Sequence, residues 1–141
     1  MLTANCDFAA QLRQGLHIWN LNGFAEEFLR LAPQYRQAFI ASCNKVKADR
    51  DQFYAELQTI PGMIVYKPDA NYIFCRLPDH APSGPDVTEK LFVEHNIYIK
   101  HCQGKTMAES DRYLRIASRT PAENTSLVAA LRDLVGQEVR S

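Results

Sequence analysis

The sequence has no long apolar run, no excess of charge of one sign and no cluster of cysteines, and each absence removes a class of function. Its longest apolar runs are far too short to span a bilayer. Basic and acidic residues balance at 16 each, for a formal net charge of zero, and no run of Lys or Arg stands out. Nucleic acid and anionic membranes are therefore not expected as partners. The N-terminal stretch from Met1 to Asp7 has no basic region followed by an apolar core, so no secretory leader is expected. Cys6, Cys43, Cys75 and Cys102 are widely spaced, with no Cys-x-x-Cys, and no metal site is expected. Without a leader, a reducing cytoplasm is the natural setting. Cys43 and Cys75, which lie in apolar patterns, read as buried small hydrophobes.

What remains is an ordinary globular composition: 141 residues, 46% apolar and 23% charged. That length suits one domain with a modest core. Residues 5 to 14 read as a short helix stopped by Gly15, with Phe8 and Leu12 on one face. After an apolar, amide-rich connector around Trp19, Asn22 can cap a second helix from Gly23 to Ala32. Pro33 ends that helix and opens a third, which runs to Leu57. There Phe39, Cys43, Val46, Arg50, Phe53 and Leu57 form one mostly apolar stripe. Pro61-Gly62 is a turn. Strands follow at Met63 to Tyr66 and Asn71 to Leu77, the second apolar enough to be central. A helix from Asp86 to His95 turns Val87, Leu91 and Phe92 inward. Asn96 supplies a positive-φ turn before a third strand, Ile97 to Lys100. His80 lies in a loop and reads as solvent-exposed. His101 and Cys102 sit side by side in a polar loop from 101 to 111, but chain neighbours point apart, which argues against a catalytic pair. The order is helices, one of them long, then β-β-α-β-β-α. That is an α+β fold, a small and mostly antiparallel sheet with helices packed on it.

The stretch from Arg112 to Asn124 organises the rest. Leu114 and Ile116 alternate with Arg115 and Ala117, the pattern of a strand with two unlike faces. Thr120, Pro121 and Glu123 then open a helix from Pro121 to about Val135. Arg115 is thereby held on a rigid element, turned away from Leu114 and Ile116, where a guanidinium fork can meet a carboxylate or phosphate. On these residues alone, an edge-strand charge in a surface ion pair is the simpler reading.

Three segments change that balance. Tyr113-Leu114-Arg115-Ile116-Ala117-Ser118-Arg119-Thr120-Pro121-Ala122-Glu123-Asn124, followed by Leu127 to Leu131, resembles the end of a fold-type I pyridoxal-phosphate aminotransferase. The branch it is most similar to holds the histidinol-phosphate aminotransferases and threonine-phosphate decarboxylases. Trp19-Asn20-Leu21-Asn22-Gly23-Phe24-Ala25 and Ala70-Asn71-Tyr72-Ile73-Phe74 resemble two further segments of that family, in its order and spacing. The resemblance covers the chain from about Phe8 to Leu134. It implies that Arg115 binds the α-carboxylate of an amino-acid substrate. Lys100 falls where the histidinol-phosphate branch often has an Arg for the substrate phosphate; a snorkelling strand-end Lys explains that residue equally well. Trp19, Asn20 and Asn22 would lie near the active site at a homodimer interface. Residues 1–32 would be a helical connector that packs on a large domain, and 33–141 the small C-terminal domain.

The same resemblance shows what is missing. The family's cofactor lysine lies in a Ser-x-x-Lys segment before the region matched here, whereas the first Lys of this chain is Lys45, inside the long helix. The Schiff-base Lys, the cofactor's phosphate cup and the acidic partner of its pyridine nitrogen have no counterpart, so no catalytic residue is expected in this chain and it is expected to be inactive alone. The implied function, in a full-length protein with pyridoxal phosphate, is transfer of an amino group between an amino acid and a 2-oxo acid. A threonine-phosphate decarboxylase-like lyase is the alternative within the family. A non-catalytic module that binds a small ligand or a partner is the alternative outside it.

Overall fold

Asparagine side chains start the first two helices. The computed structural model describes residues 5–15 and 21–136, and its chain divides into two compact units, Met1–Ile40 and Ala41–Ser141. In the first unit Asn5 Oδ1 accepts from the Phe8 amide at 2.9 Å and opens α1, Cys6–Gln14. Asn22 Oδ1 accepts from the Ala25 amide at 2.9 Å and opens α2, Gly23–Leu31. The sequence pattern runs the third helix straight from Pro33. Instead a 3-10 turn, Ala32–Tyr35, precedes α3, Arg36–Leu57. Pro33 has no amide proton to give to a continuous α-helical ladder, and the tighter turn absorbs that loss.

The apolar stripe proposed for α3 is buried only at its C-terminal end. Phe53 and Leu57 are fully covered, Cys43 is half-buried rather than buried, and Phe39 and Val46 are exposed. Helical spacing shows which residues share a face, not whether anything covers it.

The second unit carries the sheet. Its strands are β1, Ile64–Val65; β2, Tyr72–Arg76; β3, Lys100–His101; and β4, Tyr113–Ala117. They lie in the order β1-β2-β4-β3, every neighbouring pair antiparallel, with β2 central as its apolar sequence suggests. Two helices complete the unit, α4, Gly84–His95, and α5, Pro121–Gly136. Buried side chains of α3, α4 and α5 join Ile73, Cys75, Leu114 and Ile116 of the sheet in one core. The α+β reading is thus borne out.

Local chemistry sets the boundaries. Gly62 has φ +74° directly after Pro61, and the Met63 amide donates to the Ile60 carbonyl, a turn that needs a glycine at that position. Ser83 caps α4, so that helix starts at Gly84, earlier than Asp86. Asn96 closes it at φ 54° as expected, with the Asn96 and Ile97 amides donating back to the Phe92 and Leu91 carbonyls. That closure takes Ile97 into the helix cap, and the third strand therefore falls at Lys100–His101 rather than Ile97 to Lys100. Phe92, read as inward, is 56% exposed, because Val87, Thr88 and Leu91 already fill the inner face of α4. At α5, Glu123 accepts from the Thr120 amide at 3.2 Å while Thr120 Oγ1 receives the Glu123 amide at 3.5 Å, a reciprocal cap. Buried Asn124 clasps the backbone of Arg119 from both sides, at 2.9 Å and 3.1 Å, and fixes the turn from β4 into α5.

Candidate functional site

Strand alternation gives the sheet a covered face and an open one. On β4, Leu114 and Ile116 are fully buried while Arg115 and Ala117 are exposed. Register places Phe74 of β2 and Lys100 of β3 directly opposite Arg115, on either side of it. The open face thus carries Tyr72, Phe74 and Arg76 from β2, Tyr113 and Arg115 from β4, and Lys100 from β3. Its aromatic rings touch in a row. Phe74 stacks on Tyr113 with centroids 5.1 Å apart and planes 10° from parallel, and meets Tyr66 at 5.5 Å. The Tyr113 hydroxyl, and then burial, holds the Tyr66 phenol above its ordinary pKa. An open pocket of about 270 Å³ adjoins the row, lined by Tyr66, Tyr72, Phe74 and the loop from Lys67 to Ala70.

The arginines of this unit differ in what they hold. Arg50 donates to Asp51 and to the Ala70 carbonyl. Arg76 bridges Asp79 at 2.7 Å and Glu109 at 3.0 Å, and Glu109 and then Asp79 hold it charged above the usual range. Arg112 donates to the carbonyls of Pro78, Ala81 and Pro82. Arg119 pairs with Glu123 at 2.9 Å on the surface. Arg132 donates to the Thr59 hydroxyl. Arg115 alone among the described arginines of this unit makes no hydrogen bond or ion pair within the described residues; its guanidinium lies over the Tyr72 ring, 4.8 Å from the centroid. The Lys100 head group likewise has no partner among them. Two like charges opposite one another on adjacent strands repel. With no carboxylate between them, the arrangement is chemically that of a site for an anion.

Sequence reasoning named Arg115 and Lys100, and the fold brings them side by side. It missed Tyr72 and the row Tyr66–Phe74–Tyr113. The signal was present in the alternation of Tyr72, Phe74 and Arg76 with Ile73, Cys75 and Leu77. Asn22 is exposed in the other unit, its side chain occupied in capping α2. Trp19 and Asn20 lie outside the described residues. His80 is exposed, as read. His101 belongs to β3 rather than to the loop, and Cys102, the first loop residue, is buried. Burial, and then the neighbouring Cys102, pushes the Cys75 thiol far up, which makes it inert. A larger pocket, about 440 Å³, lies between α4 and the sheet edge; its lining includes Phe92, Tyr98, His101 and Glu89 but no Lys or Arg to meet an anion. No group of three or more His, Cys, Asp or Glu among the described residues is placed to hold a metal ion. No helix among them is long and apolar enough to cross a membrane.

The open face of this antiparallel sheet presents unpaired cations beside aromatic rings. The chain belongs to the aminotransferase class I and II family, whose profile matches residues 2–131. It is 42% identical over 134 residues to CMP-5'-(3-aminopropyl)phosphonate synthase of Streptomyces rubellomurinus, covering 95% of this chain and 21% of that protein. It is 32% identical over 122 residues to L-serine phosphate decarboxylase of Campylobacter jejuni, covering 84% of this chain and 30% of that protein. Its fold is similar to that of the histidinol-phosphate aminotransferase of Clostridium acetobutylicum, with a TM-score of 0.74 and 27% identity over 95% of this chain and 39% of that one. The chain therefore spans between about a fifth and two fifths of the length of these proteins.

Members of the family use pyridoxal phosphate. The residues described here do not fit its covalent attachment. Lys45, Lys47, Lys67, Lys100 and Lys105 are exposed and Lys90 is half-buried, whereas an attachment lysine is held in a dry cleft against the cofactor. What this chain offers instead is the unpaired guanidinium of Arg115 on the open sheet face.

Proposed function

We propose that this chain is the domain that grips the substrate carboxylate in a pyridoxal-phosphate-dependent enzyme acting on amino acids. The observation that carries the reading is the uncommitted guanidinium of Arg115 on the open sheet face, next to the equally uncommitted Lys100. A carboxylate can accept two parallel N–H bonds from the fork of Arg115. Lys100 then offers a point charge to a second anionic group or to the same one. Residues 33–141 act as the small domain. Residues 1–32 act as a connector whose exposed Phe24 and Phe28 meet a larger domain and a second subunit of a homodimer, with Trp19 and Asn20 near that interface. Closure over the bound substrate would exclude water and strengthen the Arg115 contact.

Transamination between an amino acid and a 2-oxo acid is the first reading. Decarboxylation is the second, and a specific observation favours it: the 32% identical relative is an L-serine phosphate decarboxylase. The paired cations suit either a carboxylate or a carboxylate with a phosphate. The test uses the protein purified from its native source, with pyridoxal phosphate, O-phospho-L-serine and a 2-oxo acid acceptor supplied. Conversion of the acceptor to its amino acid supports transamination, and an amine with carbon dioxide supports the lyase. Arg115→Lys should raise KM and lower kcat together, because the lost fork serves both binding and closure. Unchanged kinetics in that variant would remove the carboxylate assignment.

A further inference from the structure

We infer that Tyr72 is the positioning residue for Arg115: its ring holds the guanidinium in place by a cation–π contact and leaves its N–H groups available to an anion. The functional half of this inference rests on the carboxylate reading above; the structural half rests on geometry alone.

Arg115 has two strands beside it. On the β3 side the residue directly opposite is Lys100, whose like charge drives the guanidinium away. On the β2 side the residue directly opposite is Phe74, whose ring already stacks on Tyr113 and meets the tilted ring of Tyr66. Tyr72 pairs with Ala117 and is therefore the diagonal neighbour of Arg115 on the same face, within reach of a long side chain. The guanidinium settles there, 4.8 Å from the ring centroid.

This placement has a chemical consequence. A cation–π contact takes up no hydrogen bond, and the Arg115 guanidinium makes none within the described residues, so its N–H groups stay available. An arginine without hydrogen bonds would otherwise sample many rotamers, and an incoming anion would have to order it on binding. The ring does that ordering beforehand. Its hydroxyl makes no hydrogen bond among the described residues, so the ring is the part that acts. Tyr72 is 38% exposed and stands on the opposite face from the fully buried Ile73, so replacing it leaves the core intact.

The experiment compares the 141-residue chain with its Tyr72→Phe and Tyr72→Leu variants. Nitrogen relaxation at Arg115 Nε reads the order of the guanidinium, and titration with acetate and inorganic phosphate reads anion binding. Tyr72→Leu should lower the order and weaken acetate binding about two- to fivefold, with an unchanged urea midpoint. Tyr72→Phe should keep both near wild type. Equal order in wild type and Tyr72→Leu overturns the inference, as does lost order with unchanged anion affinity. If Arg115 of the wild type responds to neither anion, the carboxylate reading falls, and the order measurement still judges the stacking separately.

Discussion

Arg112 and Arg115 stand three residues apart and should fail in opposite ways. Arg112 is half-buried at the entrance to β4. Its Nη1 donates to the Ala81 carbonyl at 3.0 Å and the Pro82 carbonyl at 3.3 Å, and its Nη2 to the Pro78 carbonyl. The backbone of Arg112 adds a bond from the Leu77 amide at 2.9 Å, so this residue ties the loop after β2 to the start of β4. Removing the side chain does not strip all three carbonyls equally. Pro78 keeps the Ala81 amide, at 3.1 Å, while Ala81 and Pro82 lose the guanidinium. Charge-assisted bonds contribute about 1.5–3 kcal/mol each, and loop carbonyls regain part of that from water. Arg112→Ala should therefore cost about 2–4 kcal/mol, or on the order of 10 °C in melting temperature for a unit of this size. Arg112→Lys should cost about half as much, because one ammonium can hold one of these contacts but cannot span them. Acetate binding at Arg115 should be unaffected in the folded Arg112 variants. Arg115→Lys should do the reverse, changing stability by less than about 1 kcal/mol and losing the anion response. Arg119→Lys should change neither by much, since exposed pairs contribute about 0–1 kcal/mol. Urea unfolding with parallel acetate titration reads all three. The reasoning is refuted if Arg112→Ala unfolds at the wild-type midpoint, or if it abolishes anion binding while still folded.

Two further predictions concern the frame around the site. Gly84 faces the Asp111 carbonyl, and a Cβ there would stand 2.7 Å from that oxygen and 3.3 Å from His101 Cβ. Gly84→Ala should destabilise by about 1–3 kcal/mol through overpacking, outweighing the helix-propensity gain of at most about 1 kcal/mol; a urea midpoint at or above wild type would show that the contact relaxes freely. The Thr120 hydroxyl, and then Arg119, lowers the Glu123 pKa. The folded chain therefore keeps Glu123 ionised to lower pH than the unfolded chain does. Its contribution is complete above the unfolded pKa and is lost as pH falls through the folded one. Thermal unfolding followed from neutral to acid pH should show the difference between wild type and Glu123→Gln shrinking across that window, and parallel curves throughout would contradict it.

Much of this protein was legible before any coordinates, for local reasons. The Thr120–Glu123 cap, the left-handed Asn96, the Pro61-Gly62 turn and the alternation around Arg115 each depend on a few consecutive residues, and such features are written into the chain. Alternation alone placed Arg115 on the open face, away from Leu114 and Ile116. What it could not give was register. That Lys100 lies opposite Arg115, that Tyr72 lies diagonal to it, and that Phe74 is taken by Tyr113 and Tyr66 all follow from how three strands slide past one another, and a one-residue slip would have turned every one of these side chains to the other face. The partners of Arg112 and Arg119 show the same division. Arg119 meets Glu123 four residues on, along one helix start, a contact between near neighbours in the chain. Arg112 meets carbonyls some thirty residues back, across a loop, and only the folded chain could bring them together. Sequence determined which residues could face outward; the sheet decided which of them stand next to one another, and with that which arginine is left without a partner among the described residues.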